Sequence, residues 1–278
     1  MKDRVNTALK WLLLALPLLP VARAQTPVTP LPRAHAHNDY AHARPLFDAL
    51  ARGFCSVEAD IHLVDGALLV AHDRHQVKPD RTLRALYLDP LQARARANGG
   101  RIYPDGPPFY LLIDLKSDGA ATWPVLRATL RRYPNLLTEF RGERVLTNAV
   151  TVILSGNSPR ALLAREPVRR AAIDGRPPDL ERNPSPALVP WISESWGRLF
   201  SWRGNGPFPP AEQARLADLL RRAHAQGRKV RFWGAPDFPG GWNLEWEAGV
   251  DFINTDRLAA LRTFLLEKAG EKPAVSAP

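Results

Sequence analysis

The sequence predicts an α/β chain folded as one (β/α)8 barrel of the TIM type, and three observations carry that reading. Short apolar runs alternate with helical patterns along most of the 278 residues, and such alternation implies parallel strands joined by crossover helices. About eight strand–helix units in roughly 250 residues match the size of a closed barrel. No Gly-rich phosphate-binding turn follows any strand, which disfavours the open doubly wound sheet.

The chain start reads as a targeting segment. "MKDRVNTALK" is basic, "WLLLALPLLPVA" is apolar, and Ala22 and Ala24 are small. That order is the order of a secretory signal over residues 1–24, with cleavage after Ala24, so a secreted or periplasmic protein is expected. The apolar run is short for a membrane span. Residues 25–32 read as a Pro-containing linker, 33–268 as the barrel, and 269–278 as a disordered tail.

Strands are expected at residues 33–37, 53–61, 67–73, 109–115, 149–155, 170–175, 188–193, 229–234 and 250–256. Each is a short apolar run bounded by turn residues. Helices are expected at 44–53, 81–97, 120–133, 210–227 and 256–270. The fourth has Pro209 and Pro210 at its start and Gly227 at its end, the usual start and stop chemistry.

Lys and Arg number 38 against 28 Asp and Glu, a net charge of +10. Removing Lys2, Arg4, Lys10, Arg23 and Asp3 with the leader takes away a net +3 and leaves +7. That balance suits phosphate esters or a peripheral contact with a phospholipid surface. The arginines form no dense basic run, so no nucleic-acid partner is expected. Cys55 is the single cysteine, so no intramolecular disulfide and no disulfide partner is required.

Residues two apart on a strand face the same side. His35 and His37, Glu58 and Asp60, and Asp114 and Lys116 therefore form three same-face polar pairs. All lie at the C-terminal ends of strands, where parallel barrels build their sites. Polar pairs in apolar strands are costly to bury unless paired or metal-bound. Glu58, Asp60 and Asp114 could together hold one divalent cation, Mg2+ or Ca2+, through oxygen ligands. His72 follows the Asp65–Gly66 turn on a strand returning towards Glu58 and Asp60, with Asp73 placed to orient it. Lys116 offers a point charge to a phosphate. Asn38 is a candidate substrate contact, and Asp39 a turn residue. Ser155 and Asn157 follow a strand, and Glu194, Trp196 and Trp233 lie near strand ends. Trp196, Trp202 and Trp233 are candidates to wall an apolar pocket.

These residues carry a resemblance. "SVEADIHLVDGALLVAHD" is similar to the E-x-D … D-G … H-D signature of glycerophosphodiester phosphodiesterases, in the phospholipase-C-like phosphodiesterase superfamily. "LLIDLKS" resembles the third acidic motif, with the Asp of the sphingomyelinase D branch where glycerophosphodiesterases usually carry Glu. "AHAQGRKVRFWGAPD" and "GVDFINTDRL" resemble the last two strands. The chain is most similar to a little-characterised branch with "HAHNDY" in place of the usual H-R-G and P-E-N-T. The resemblance implies a metal-bound phosphodiester flanked by two histidines, one as nucleophile or base and one as acid. His72 matches the second, and His35 and His37 compete for the first. The implied substrate is a small glycerophosphodiester or a (lyso)phospholipid, cleaved by water or by a substrate hydroxyl to a cyclic product. The alternative is a non-catalytic barrel that binds a phosphate-bearing ligand, a reading that loss of a metal carboxylate or of His72 would favour. Metal-free phosphatidylinositol cleavage would place a basic side chain where the acidic trio stands.

Overall fold

The computed structural model describes residues 28–270. In chain order its strands are β1 (Leu31–Ala36), β2 (Phe54–Val64), β3 (Ala67–Val70), β4 (Phe109–Leu115), β5 (Glu139–Arg141), β6 (Arg144–Leu146), β7 (Val150–Gly156), β8 (Val168–Arg169), β9 (Ala172–Gly175), β10 (Trp191–Ser195), β11 (Lys229–Trp233) and β12 (Ile253–Thr255). Eight of these lie side by side in the order β11-β10-β9-β7-β4-β2-β1-β12, parallel throughout. A parallel bridge between Arg231 and Phe252 brings β11 back to β12 and nearly closes the barrel. The TIM-type fold read from the sequence is the fold observed.

Strand alternation sorts the side chains into two cores. On β2, Val57, Ala59 and Ile61 join the large apolar layer between the strands and the surrounding helices. Ser56, Glu58 and Asp60 alternate with them and point into the lumen, buried at 0%, 5% and 0% exposure. A second, smaller core of Leu112, Ile153, Trp191 and Phe252, with Tyr110 against it, fills the lumen. Trp191 and Phe252 stack with centroids 4.2 Å apart. Phe140, from the antiparallel sheet β6-β5-β8, joins the same core, so that sheet covers one end of the barrel.

The hairpin β2–β3 is built by Asp65 and Gly66, both with positive φ (48° and 77°). That is the two-residue turn whose twist suits paired strands. It fixes the register Ile61 opposite Val70 and delivers His72 back beside Asp60.

The helices at Asp89–Ala97, Pro210–Ala225 and Leu258–Lys268 fall within expected segments, and that at Gly119–Leu130 starts one residue before its own. In the 81–97 segment a π-turn over Arg84–Leu88 precedes the α-helix. Pro90 lacks the N–H that would bond back to Leu86, and a wider turn relieves that gap. The sequence reading missed the helix Pro239–Ala248 and the strands of the small sheet, which at two or three residues are too short to show a period. The expected linker ends too late: Leu31 and Pro32 belong to β1, where Leu31 is buried and its N–H donates to Gly53 O at 2.7 Å. No described helix is long and apolar enough to cross a membrane.

If the lumen aromatics form a structural floor, Trp191→Ala should cost about 3–5 kcal/mol of unfolding free energy, measured by denaturant titration. Trp191→Phe should cost less, because the buried indole Nε1 has no hydrogen-bond partner to lose. A loss below about 1 kcal/mol for Trp191→Ala would show that the aromatic layer is not needed.

Candidate active site

The lumen is layered. On the aromatic floor sits His35, edge-on to Trp191 at 6.2 Å and to Phe252 at 6.5 Å, with 0% exposure. Its Nδ1 lies 2.7 Å from Ser56 Oγ, and Arg231 Nη1 donates to its Nε2 at 3.0 Å. This is the pattern of a neutral ring with its proton on Nδ1. Burial, reinforced by the Arg231 charge, pushes its pKa down to about 4.

Glu58 shares that layer. Arg231 Nη1 donates to Glu58 Oε2 at 3.1 Å and to Asn254 Oδ1 at 3.1 Å. Burial opposes the Glu58 charge, but the Arg231 guanidinium beside it outweighs that and holds its carboxyl below the usual range.

One step towards the mouth are Asp60 and Asp114, register partners on β2 and β4. Lys116 Nζ bridges them, 3.0 Å from Asp60 Oδ2 and 3.3 Å from Asp114 Oδ1. Gly156 packs so closely that a Cβ there would lie 2.3 Å from Asp114 Oδ1, and its φ of +62° suits glycine. Asp60 is lopsided: Oδ2 meets Lys116, Tyr40 Oη at 2.7 Å and His72 Nδ1 at 3.0 Å, whereas Oδ1 is buried with no partner. Glu58, Asp60 and Asp114 each offer a ligand atom, all within 4.8 Å of one another. An acidic trio with an orphaned buried oxygen fits a hard divalent cation. Burial, and then the Glu58 charge, push the Asp60 carboxyl up to about 6, and burial raises that of Asp114.

Two histidines flank the trio. His37 Nδ1 lies 2.9 Å from Asp256 Oδ1; burial lowers its pKa, but the Asp256 hydrogen bond and the Glu58 charge outweigh that and raise it. His72, its side chain 58% exposed, faces Asp60 through Nδ1. Each imidazole therefore turns Nδ1 to a carboxylate and leaves Nε2 free. The segment from His37 to Tyr40 links them: Asn38 Nδ2 reaches Asp256 at 3.3 Å, and Tyr40 Oη reaches Asn38 Oδ1 at 2.6 Å and His72 Nδ1 at 3.1 Å.

The AIM6-like phosphodiesterase domain model matches residues 22–101 and 102–173. The chain is 31% identical over 280 residues to altered inheritance of mitochondria protein 6 of Eremothecium gossypii, covering 88% of this chain and 72% of that protein. It is 29% identical over 279 residues to the homologue in Arthroderma benhamiae, covering 88% of each. The chain belongs to the AIM6-like phosphodiesterase family. A glycerophosphodiester phosphodiesterase of Parabacteroides distasonis shares the fold, with a TM-score of 0.53 at 15% identity over 85% of this chain and 98% of that one. Membership of the phospholipase-C-like phosphodiesterase superfamily, expected from the motifs, therefore holds. The relatives' name ties the family to mitochondria and overturns the expected secreted or periplasmic location. The leader on which that expectation rested lies outside the described residues.

Of the candidates, the structure brings His37, Asn38, Asp60, His72, Asp114 and Lys116 together at the mouth, with a Glu58 oxygen reaching within 4.8 Å of those of Asp60 and Asp114 from the layer beneath. His35 stands apart beneath them, closed off by its own burial. Trp196 is no pocket wall: it is fully buried, packed on Phe200 at 4.4 Å, because its strand end turns straight into a short helix. Trp233 is half-buried, with the Arg176 guanidinium 4.9 Å above its ring. Asp60, not Asp73, orients His72, and Asp73 caps the 3-10 turn Arg74–Gln76. Ser155 is buried and donates to Asp174 at 2.9 Å.

Sequence reasoning missed Tyr40, Arg231 and Asp256. Arg231 had a signal, a charge between outward-facing Val230 and Phe232. Asp39 is more than a turn residue. It is buried, accepting from Tyr87 Oη at 2.9 Å and from the N–H of Leu46, whose φ of 65° is strained for leucine.

Burial pushes the Asp39 carboxyl up to about 7. Its folded pKa lies above the unfolded value, so the fold holds this proton more tightly. Stability from this group is lost as pH rises from about 4 to about 7. The melting temperature of the wild type should therefore fall relative to Asp39→Asn across that window. A difference between the two that does not change with pH would show that Asp39 titrates normally.

Proposed function

We propose that this chain is a divalent-cation-dependent phosphodiesterase, cleaving a glycerophosphodiester or (lyso)phospholipid-type substrate at the mouth of the barrel. The observation that carries this reading is the Asp60 carboxylate, three groups on Oδ2 and none on buried Oδ1, between two imidazoles with free Nε2 atoms. Glu58, Asp60 and Asp114 would hold Mg2+ or Ca2+. When bound, such a cation stabilises the charge that builds on the phosphoryl oxygens.

The chain's own residues do the rest. Lys116 presents a positive charge to the same oxygens. His37 Nε2 takes the proton of the attacking water or substrate hydroxyl, and Asp256 on its Nδ1 stabilises the imidazolium that results. His72 Nε2 returns a proton to the leaving oxygen as the P–O bond breaks. Asn38 fixes His37 and Asp256 relative to each other. Trp233, at the rim, offers its edge to the substrate. His35 does no proton transfer, because its Nε2 lone pair is taken by Arg231 and water cannot reach it.

Phosphorus NMR of products from a panel of glycerophosphodiesters, lysophospholipids and sphingomyelin tests the activity. Failure to cleave any of them with Mg2+ or Ca2+ present would leave a phosphate-binding barrel instead. Glu58→Gln and Asp114→Asn should abolish the cation-dependent turnover, and activity that survives a chelator would remove the metal from the reading.

His37→Ala and His72→Ala should each lower kcat by about 100-fold or more, with melting temperatures close to that of the wild type. His35→Ala should instead lower the melting temperature, since it opens a cavity and strips a partner from Arg231 and Ser56. Near-normal turnover in His37→Ala, with severe loss confined to His35→Ala, would reverse the assignment.

A further inference from the structure

A groove of about 610 Å3 is lined by His72, whose Nδ1 faces Asp60 of the acidic trio. Its floor is Val70 and Ala71, and its walls are Tyr40, Gln76, Lys78 and Arg81. His72 is thus a wall of both spaces. A general acid must lie within hydrogen-bond reach of the oxygen it protonates, and this groove is a space beside His72 that could receive the alcohol that leaves. The groove is cationic. Lys78 is exposed and makes no ion pair among the described residues. Arg81 likewise makes none and is held in place by donating to the Tyr40 carbonyl. Two acids neighbour these residues in sequence, Asp73, which is held in its own capping box, and the exposed Asp80, and neither lines the groove. Nor is there an aromatic cage of the kind that holds a quaternary ammonium: Tyr40 is the one aromatic residue in the wall, and its hydroxyl is committed to Asp60.

We propose that this groove is the leaving-group subsite and that it selects phosphodiesters whose leaving alcohol itself carries a phosphate monoester. The proposal rests on the phosphodiesterase reading. Lys78 and Arg81 pair with the dianion, and Gln76 donates to its oxygens. The P–O bond to the phosphorylated alcohol breaks, and the proton from His72 Nε2 ends on that alcohol's oxygen. The oxygen gained by phosphorus comes from water or from the substrate's own hydroxyl, whose proton goes to His37.

A matched pair tests this: glycerophosphoinositol 4-phosphate against glycerophosphoinositol, with glycerophosphocholine as the cationic contrast. The wild type should prefer the phosphorylated member by about tenfold or more in kcat/KM, the factor one charge-assisted contact supplies. Lys78→Glu should erase that preference without moving the melting temperature, since Lys78 is exposed. Independently of turnover, calorimetry should show inositol 4-phosphate binding to the wild type at least tenfold more tightly than to Lys78→Glu. Equal turnover of the matched pair, with no Lys78-dependent binding, would overturn the subsite and leave the phosphodiesterase reading standing. Lys78-dependent binding with no turnover of any diester would overturn the phosphodiesterase reading and keep the anion subsite.

Discussion

Arg231 carries the charge on which the barrel interior depends. An ionised carboxylate cannot be taken out of water unless it is paired, and two of the buried carboxylates, Glu58 on β2 and Asp174 on β9, face Arg231. Arg231, itself 3% exposed, reaches Glu58 at 3.1 Å and Asp174 at 3.8 Å. Its backbone also makes the bridge to Phe252 that draws the two ends of the sheet together. Losing one partner of such a buried pair typically costs about 3–5 kcal/mol, because the other charge is stranded. With Glu58 held ionised in this way, Asp60, two residues further along the same face, pairs instead with Lys116 through Oδ2 and leaves Oδ1 without a partner. The acidic centre at the mouth follows from the ion pair beneath it.

Depth then decides what each polar residue does. His35 lies on β1 and His37 just past its end, and that short step runs from the dry lumen to the mouth. The lower ring is clamped neutral between Ser56 and Arg231. The upper ring meets Asp256 and retains a proton more readily than a free histidine. Glu58 and Asp60 show the same division on β2, one fixed by Arg231 and the other left with an empty oxygen. Identical spacing gives one clamped, buried group and one at the mouth because the surroundings change along the strand.

This explains what could be read beforehand. Apolar runs such as "FYLLIDL" coincide with an observed strand because both faces of a barrel strand are buried and the whole run must be apolar. The acidic trio was legible because charge in such a run is costly, and His72 because Asp65–Gly66 allows only a tight return. Depth was not legible: alternation gives the face of a strand, not the level, so His35 and His37 stayed equivalent until the floor of Trp191 and Phe252 was placed. Trp196 was misplaced for the same reason, since a tryptophan at a strand end can cap the core or line the mouth. Asp256 and Arg231 lie some two hundred residues from the groups they serve, and closure of the barrel is what brings them there.

The four residues His37 to Tyr40 reconcile two demands. Both imidazoles at the mouth turn Nδ1 to a carboxylate, and their orientation holds only if each carboxylate and ring is fixed. Asp39 anchors the segment from below, through the Leu46 N–H and Tyr87, and Asn38 takes a left-handed turn (φ 47°) that brings its amide over Asp256. Tyr40 has one hydroxyl proton and three neighbours within hydrogen-bond distance, Asn38, Asp60 and His72. It can donate to only one of them, so His72 must bring its own Nδ1 proton to Asp60. That requirement fixes the tautomer in which Nε2 carries the exchangeable site. The segment carries one histidine itself and holds the other through a phenol, and so aligns the two from a single anchored loop.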